Sequence, residues 1–98
     1  MVYKIRWTTI ALEDYKKVIE YLIKIWSVRV AIDFEEIVNK KLANLSCQPF
    51  IGIASQKKQM VRSILLTKRN RLYYRITEDT IELLNIFDTR QNPEKNSF

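Results

Sequence analysis

Polar and apolar residues alternate from Val2 to Trp7, with Val2, Lys4 and Arg6 on one side and Tyr3, Ile5 and Trp7 on the other, and this period of two predicts a short strand. The period then lengthens. Ala11, Tyr15, Val18, Leu22 and Trp26 recur at three- and four-residue steps, widened by Leu12, Ile19 and Ile23, which predicts a helix with one buried face ending near Trp26. Thr8 or Thr9 offers the N-cap, and Glu13 with Asp14 are expected in the first turn, where carboxylates favour the helix dipole. Ser27 can cap a second helix whose stripe is Ala31, Phe34, Val38, Leu42 and Leu45. With almost no linker between them, the two helices should form an antiparallel hairpin.

Pro and Gly then punctuate Gln48 to Gly52, which reads as a loop. Beyond residue 57 the signal is β: Gln59 to Leu66, Arg71 to Thr77 and Thr80 to Asp88 predict a three-stranded meander, with turns at Thr67–Asn70 and Glu78–Asp79. In the middle strand Leu72, Tyr74 and Ile76 share the face suited to a core, and Arg71, Tyr73 and Arg75 share the face suited to a ligand. The run Ile81 to Phe87 is apolar on both parities, which fits a central strand covered on both sides or one flanked by a mobile tail. Residues 91–98 are polar and expected to be a flexible tail. The fold class is therefore α+β: one domain spanning residues 1–98, an N-terminal strand and an antiparallel helix hairpin packed on an antiparallel sheet.

Composition narrows the chemistry. At 98 residues with 47% hydrophobic content, the chain supports one small core. A single cysteine excludes an intramolecular disulfide framework, no Cys/His cluster exists to hold zinc, and Cys47 reads as a small buried hydrophobe, so no metal or cofactor is expected. No segment reads as a signal peptide and no apolar run reaches the roughly 18 residues of a membrane span, so a soluble cytoplasmic protein with no membrane partner is expected. The absence of histidine excludes Ser-His-Asp and Cys-His catalysis. The formal charge is +6, and from Lys57 to Arg75 every charged residue is basic: Lys57, Lys58, Arg62, Lys68, Arg69, Arg71 and Arg75. With Tyr73 between Arg71 and Arg75, this stretch has the ingredients to grip phosphates while stacking a base. The competing reading is a set of solvated charges guarding strand edges. Trp7, Tyr15, Tyr21, Trp26 and Phe34 are read as core or interface packing, without chemistry.

The order of elements, together with Met60-Val-Arg-Ser63, Asn70-Arg-Leu-Tyr-Tyr-Arg-Ile76 and Ile86-Phe-Asp-Thr-Arg-Gln-Asn-Pro-Glu-Lys95, resembles the RelE/ParE superfamily of toxins along the whole chain. The resemblance implies the toxin of a type II toxin–antitoxin (plasmid stabilisation) module, neutralised by a cognate antitoxin whose disordered segment folds across it. RelE-like members cleave mRNA on the ribosome, whereas ParE-like members inhibit DNA gyrase without chemistry of their own. The first expectation is growth arrest by ribosome-dependent mRNA cleavage, an endoribonuclease activity; the alternatives are ParE-like gyrase inhibition or a non-toxic member of the same fold. Carried over by position, the resemblance implies that Arg62, Arg71 and Arg90 contact the scissile phosphate. Lys57, Lys58, Lys68, Arg69, Tyr73 and Arg75 would hold RNA. Cleavage also needs a base for the 2′-OH and an acid for the leaving oxygen. Here the sequence departs: Ile64 occupies the second basic position of the first meander strand, and no His or Tyr follows Arg90. Arginine, with a pKa above about 12, stabilises charge but does not remove protons, which leaves Tyr73 and Tyr74 as the candidates.

Overall fold

Thr8 decides where the first helix begins and fastens it to the sheet. Its hydroxyl accepts from the Ala11 N–H at 3.3 Å and donates to the Leu83 carbonyl at 2.6 Å. The computed structural model describes residues 2–98, and Met1 lies outside the described residues. Helix α1 spans Thr9–Ile25, so Glu13 and Asp14 fall in its second turn and not in the first, where a later start would have put them. Asp14 instead ties the helix to the sheet a second time, its carboxylate accepting the Ile86 N–H at 3.0 Å. Helix α2 spans Val28–Cys47 and is capped by Ser27, which accepts from Val30 N–H at 3.1 Å. Its buried stripe is Ala31, Phe34, Val38 and Leu45, as the periodicity predicts, but Cys47, the last residue of the helix, is exposed and not the buried hydrophobe expected.

Five strands form one sheet in the order β1-β5-β4-β3-β2: β1 Lys4–Trp7, β2 Ile53–Ala54, β3 Val61–Thr67, β4 Asn70–Ile76 and β5 Thr80–Asp88. The expected meander is β3 to β5, and the α+β class holds. The sheet is mixed, however, because β1 lies parallel to β5, and a parallel neighbour needs a long crossover that the helix hairpin begins. The 48–52 loop contains a short 3₁₀ turn, Pro49–Ile51, and leads into the unanticipated edge strand β2.

The core lies between the helices and one sheet face. Leu72, Tyr74 and Ile76 of β4 pair with Ile86, Leu83 and Ile81 of β5 and pack with Ala11, Phe34, Val38 and Leu45. Trp7, Tyr15 and Phe34 join as an aromatic run, with ring centroids 5.2 Å and 6.1 Å apart. The register shifts between Tyr73–Asn85 and Tyr74–Leu83, so Leu84 is an extra residue in a β-bulge. The bulge flips the parity of β5, bringing both Leu83 and Ile86 to the core. This is why the strand reads as apolar on both parities. Residues 91–98, expected as a tail, are placed against the outer face of the sheet, where the Asn85 amide donates to Asn96 Oδ1 at 2.8 Å.

Candidate functional site

Directly opposite residues of an antiparallel pair project from the same face, and this separates the three arginines. Arg62 lies opposite Tyr74 and shares its helix-side face. Its guanidinium donates to the Gly52 carbonyl at 2.8 Å and the Phe50 carbonyl at 3.3 Å, and stands 5.3 Å from the Phe50 ring. Arg71 is on the outer face, donating to Ser63 Oγ at 3.0 Å. Arg90 follows β5 and clasps Asp88 with two hydrogen bonds, 3.1 and 2.8 Å, while its backbone N–H reaches the same carboxylate at 2.9 Å. Expected around one phosphate, Arg62 and Arg71 lie on opposite faces of the sheet, and Arg90 is held by Asp88 just beyond β5.

The Arg90 guanidinium and N–H hold the Asp88 carboxyl down to about 2, below its ordinary 3.8. A carboxyl depressed in the folded state contributes stability above its unfolded value, lost as pH falls from near 3.8 through about 2. The pair is exposed, so the effect on stability is small. An NMR titration of the Asp88 carboxyl should give a midpoint near 2, and Arg90→Ala should return it towards 3.8.

The residues expected to hold RNA are also divided. Arg75 Nε donates to Glu82 Oε1 at 3.1 Å, and Arg6 binds the other oxygen of the same largely buried carboxylate. Pairing of β1 with β5 creates this Arg–Glu–Arg group, so no local spacing announces it. Lys57 Nζ donates to the carbonyls of Pro93 at 2.9 Å and Asn96 at 2.7 Å. Lys58 Nζ sits 5.7 Å from the Phe98 ring. Tyr73 is half-buried on the outer face between Ser63 and Asn85. Lys68 and Arg69 occupy the β3–β4 turn, where their carbonyls accept from Thr89.

Tyr74 is no proton shuttle. Its hydroxyl donates to the Pro49 carbonyl at 2.7 Å and accepts the Gly52 N–H at 3.1 Å. Burial raises its pKa, only partly opposed by the Gly52 hydrogen bond and the charge of Arg62. It fastens the 48–52 loop, and Arg62 grips the same loop.

A second surface is not evident from the sequence. A groove of about 1000 Å³ runs between the helix hairpin and the far end of β5. Its lining is buried or half-buried at Val18, Leu22, Phe34 and Ile86 and exposed at Tyr21, Trp26, Val30 and Ile37, and the charged lining is five cations, Lys17, Lys68, Arg69, Arg90 and Lys95, against Asp14 and Asp88. Tyr21 is 43% exposed and Trp26 65%, so neither is core packing. The signal available was that large apolar residues flank the buried stripe at Ile10, Tyr21 and Trp26, all of them exposed and all lining the groove. An apolar trough with an excess of cations suits an amphipathic segment bearing acidic residues.

Two helices over this mixed sheet define the RelE/ParE class of small toxins. The profile of the ParE toxin of type II toxin–antitoxin systems (parDE) matches residues 5–93, and the chain belongs to that family. Its fold is that of a chain in the structure of the chromosomal ParDE TA system from P. aeruginosa, with a TM-score of 0.74 and 16% identity over 89% of this chain and 96% of that one. A chain of the RelBE2 toxin–antitoxin complex from Mycobacterium tuberculosis matches with a TM-score of 0.63 and 22% identity over 90% of this chain and 99% of that one. The YoeB/ParE toxin from Agrobacterium tumefaciens matches with a TM-score of 0.63 and 20% identity over 87% and 96%. No curated protein matches in sequence. No helix among the described residues is long and apolar enough to cross a membrane, and no group of His, Cys, Asp and Glu there could hold a metal.

Proposed function

We propose that this ParE-family toxin arrests growth by binding DNA gyrase, without chemistry of its own, and that a cognate antitoxin silences it through the groove. The observation that carries this reading is that Arg62 and Arg71 project from opposite faces of the sheet, so the two cannot close on one phosphate. Internal cleavage of RNA needs positive charge converging on one phosphate and a proton-transfer pair beside it. Arg62 is occupied by loop carbonyls, Arg90 by Asp88, and Tyr74 by Pro49 and Gly52. Membership of the ParE family points the same way. Either target places the action in the cytoplasm.

Ribosome-dependent mRNA cleavage is the second reading, favoured by Arg71 and Tyr73 sharing the outer face with Arg75. Purified protein should inhibit gyrase supercoiling of a relaxed plasmid, and primer extension on mRNA from induced cells should show no new ends. New ends within codons, with supercoiling intact, would replace the first reading by the second.

A further inference from the structure

The segment after β5 does more than fill space. Asn96 is 5% exposed and bonded to Asn85 on β5, while the Phe98 carbonyl accepts from Ser55 Oγ, just beyond β2, at 2.6 Å. In the order β5-β4-β3-β2, a segment anchored at both places passes over β4 and β3. Val61 and Ser63 point away from the helices, opposite Arg75 and Tyr73, yet are only 3% and 6% exposed. The same segment occupies Lys57 through two carbonyls and stacks Phe98 against Lys58.

We infer that residues 91–98 are an autoinhibitory strap, which must lift before the outer face of the sheet can take a single-stranded nucleic acid. Lifting frees the Lys57 and Lys58 ammonium groups and uncovers Tyr73 beside Arg71, giving cations for phosphates and a ring for a base. The inference goes beyond the target proposed above, and rests on the outer face being an anion-binding surface.

Two measurements separate the strap from that premise. Amine acetylation read by mass spectrometry should modify Lys57 several-fold more slowly than Lys68 in the full chain. The difference should vanish in a chain lacking residues 91–98 and shrink in Asn96→Ala, which keeps the segment and guards against a truncation that does not fold. Anisotropy with a fluorescent dodecamer of uridine should show about tenfold tighter binding to the truncated chain. Its salt slope should steepen by about 1.4, two lysine contacts at about 0.7 each. A twelve-base-pair DNA duplex should gain less, because its bases are not free to stack. Equal acetylation of Lys57 and Lys68 in the full chain overturns the strap itself. Protection of Lys57 with no gain in RNA affinity overturns its inhibitory role. No RNA binding by any form, with Lys57 exposed in the truncation, overturns the anion-binding premise and the inference with it. A duplex gain equal to or above that of the single strand overturns the assignment of the ligand.

Discussion

Tyr74→Ala is expected to lower the free energy of unfolding by about 3–5 kcal/mol, the usual cost of removing a large buried aromatic side chain, read as a lower midpoint in urea. Tyr74 has 0% exposure and stands at the meeting of β4, β5 and the 48–52 loop. Tyr74→Phe keeps the packing and deletes the hydroxyl, leaving the Gly52 N–H and the Pro49 carbonyl without that partner in a buried site; about 1–3 kcal/mol should be lost. Gly52→Ala attacks the same junction from the other side. A Cβ there would stand 2.4 Å from the Tyr74 oxygen and 2.8 Å from the Ser63 carbonyl, and the second contact is backbone that cannot swing away. Glycine is needed here for close approach, since its φ of −72° is open to any residue. Equal stability of Tyr74→Phe and the parent chain would show that the hydroxyl does not hold the loop, leaving that role to packing and to Arg62.

The same junction explains which parts of the fold are legible in the sequence. Helix stripes and strand alternation are local, so the hairpin, the meander and the buried faces of Phe34, Val38, Leu72 and Tyr74 follow from periodicity. The parallel docking of β1 on β5 is not local, and neither is the Arg6–Glu82–Arg75 group that it assembles. The bulge at Leu84 also hides, because one added residue turns a regular strand into an apolar run of mixed parity. For the site, the basic run from Lys57 to Arg75 is plain in sequence, but strand alternation sends Arg62 and Arg71 to opposite faces. Odd and even numbering of adjacent strands cannot be compared until their register is known. Tyr21 and Trp26 flank the buried stripe of α1, and only the end of the sheet beneath them leaves them uncovered.

Replacing both Tyr21 and Trp26 by alanine is expected to weaken binding of the cognate antitoxin by about a hundredfold or more, some 2.7 kcal/mol, within the range of aromatic anchors at protein interfaces. Both side chains are partly exposed in the free chain, so truncating them should leave the urea midpoint nearly unchanged. That separation of binding from stability distinguishes a docking surface from a core. The cations make a second, independent demand. Lys17, Lys68, Arg69 and Arg90 line the same groove, and peripheral charges act mainly on encounter, so added salt should slow association with an acidic antitoxin more than it speeds release. Arg90 is partly neutralised by Asp88, so Lys17→Ala should reduce that salt dependence more than Arg90→Ala. Calorimetry and stopped-flow mixing at two ionic strengths measure both effects. An antitoxin that binds the double alanine variant with parental affinity would place its docking surface elsewhere on the chain.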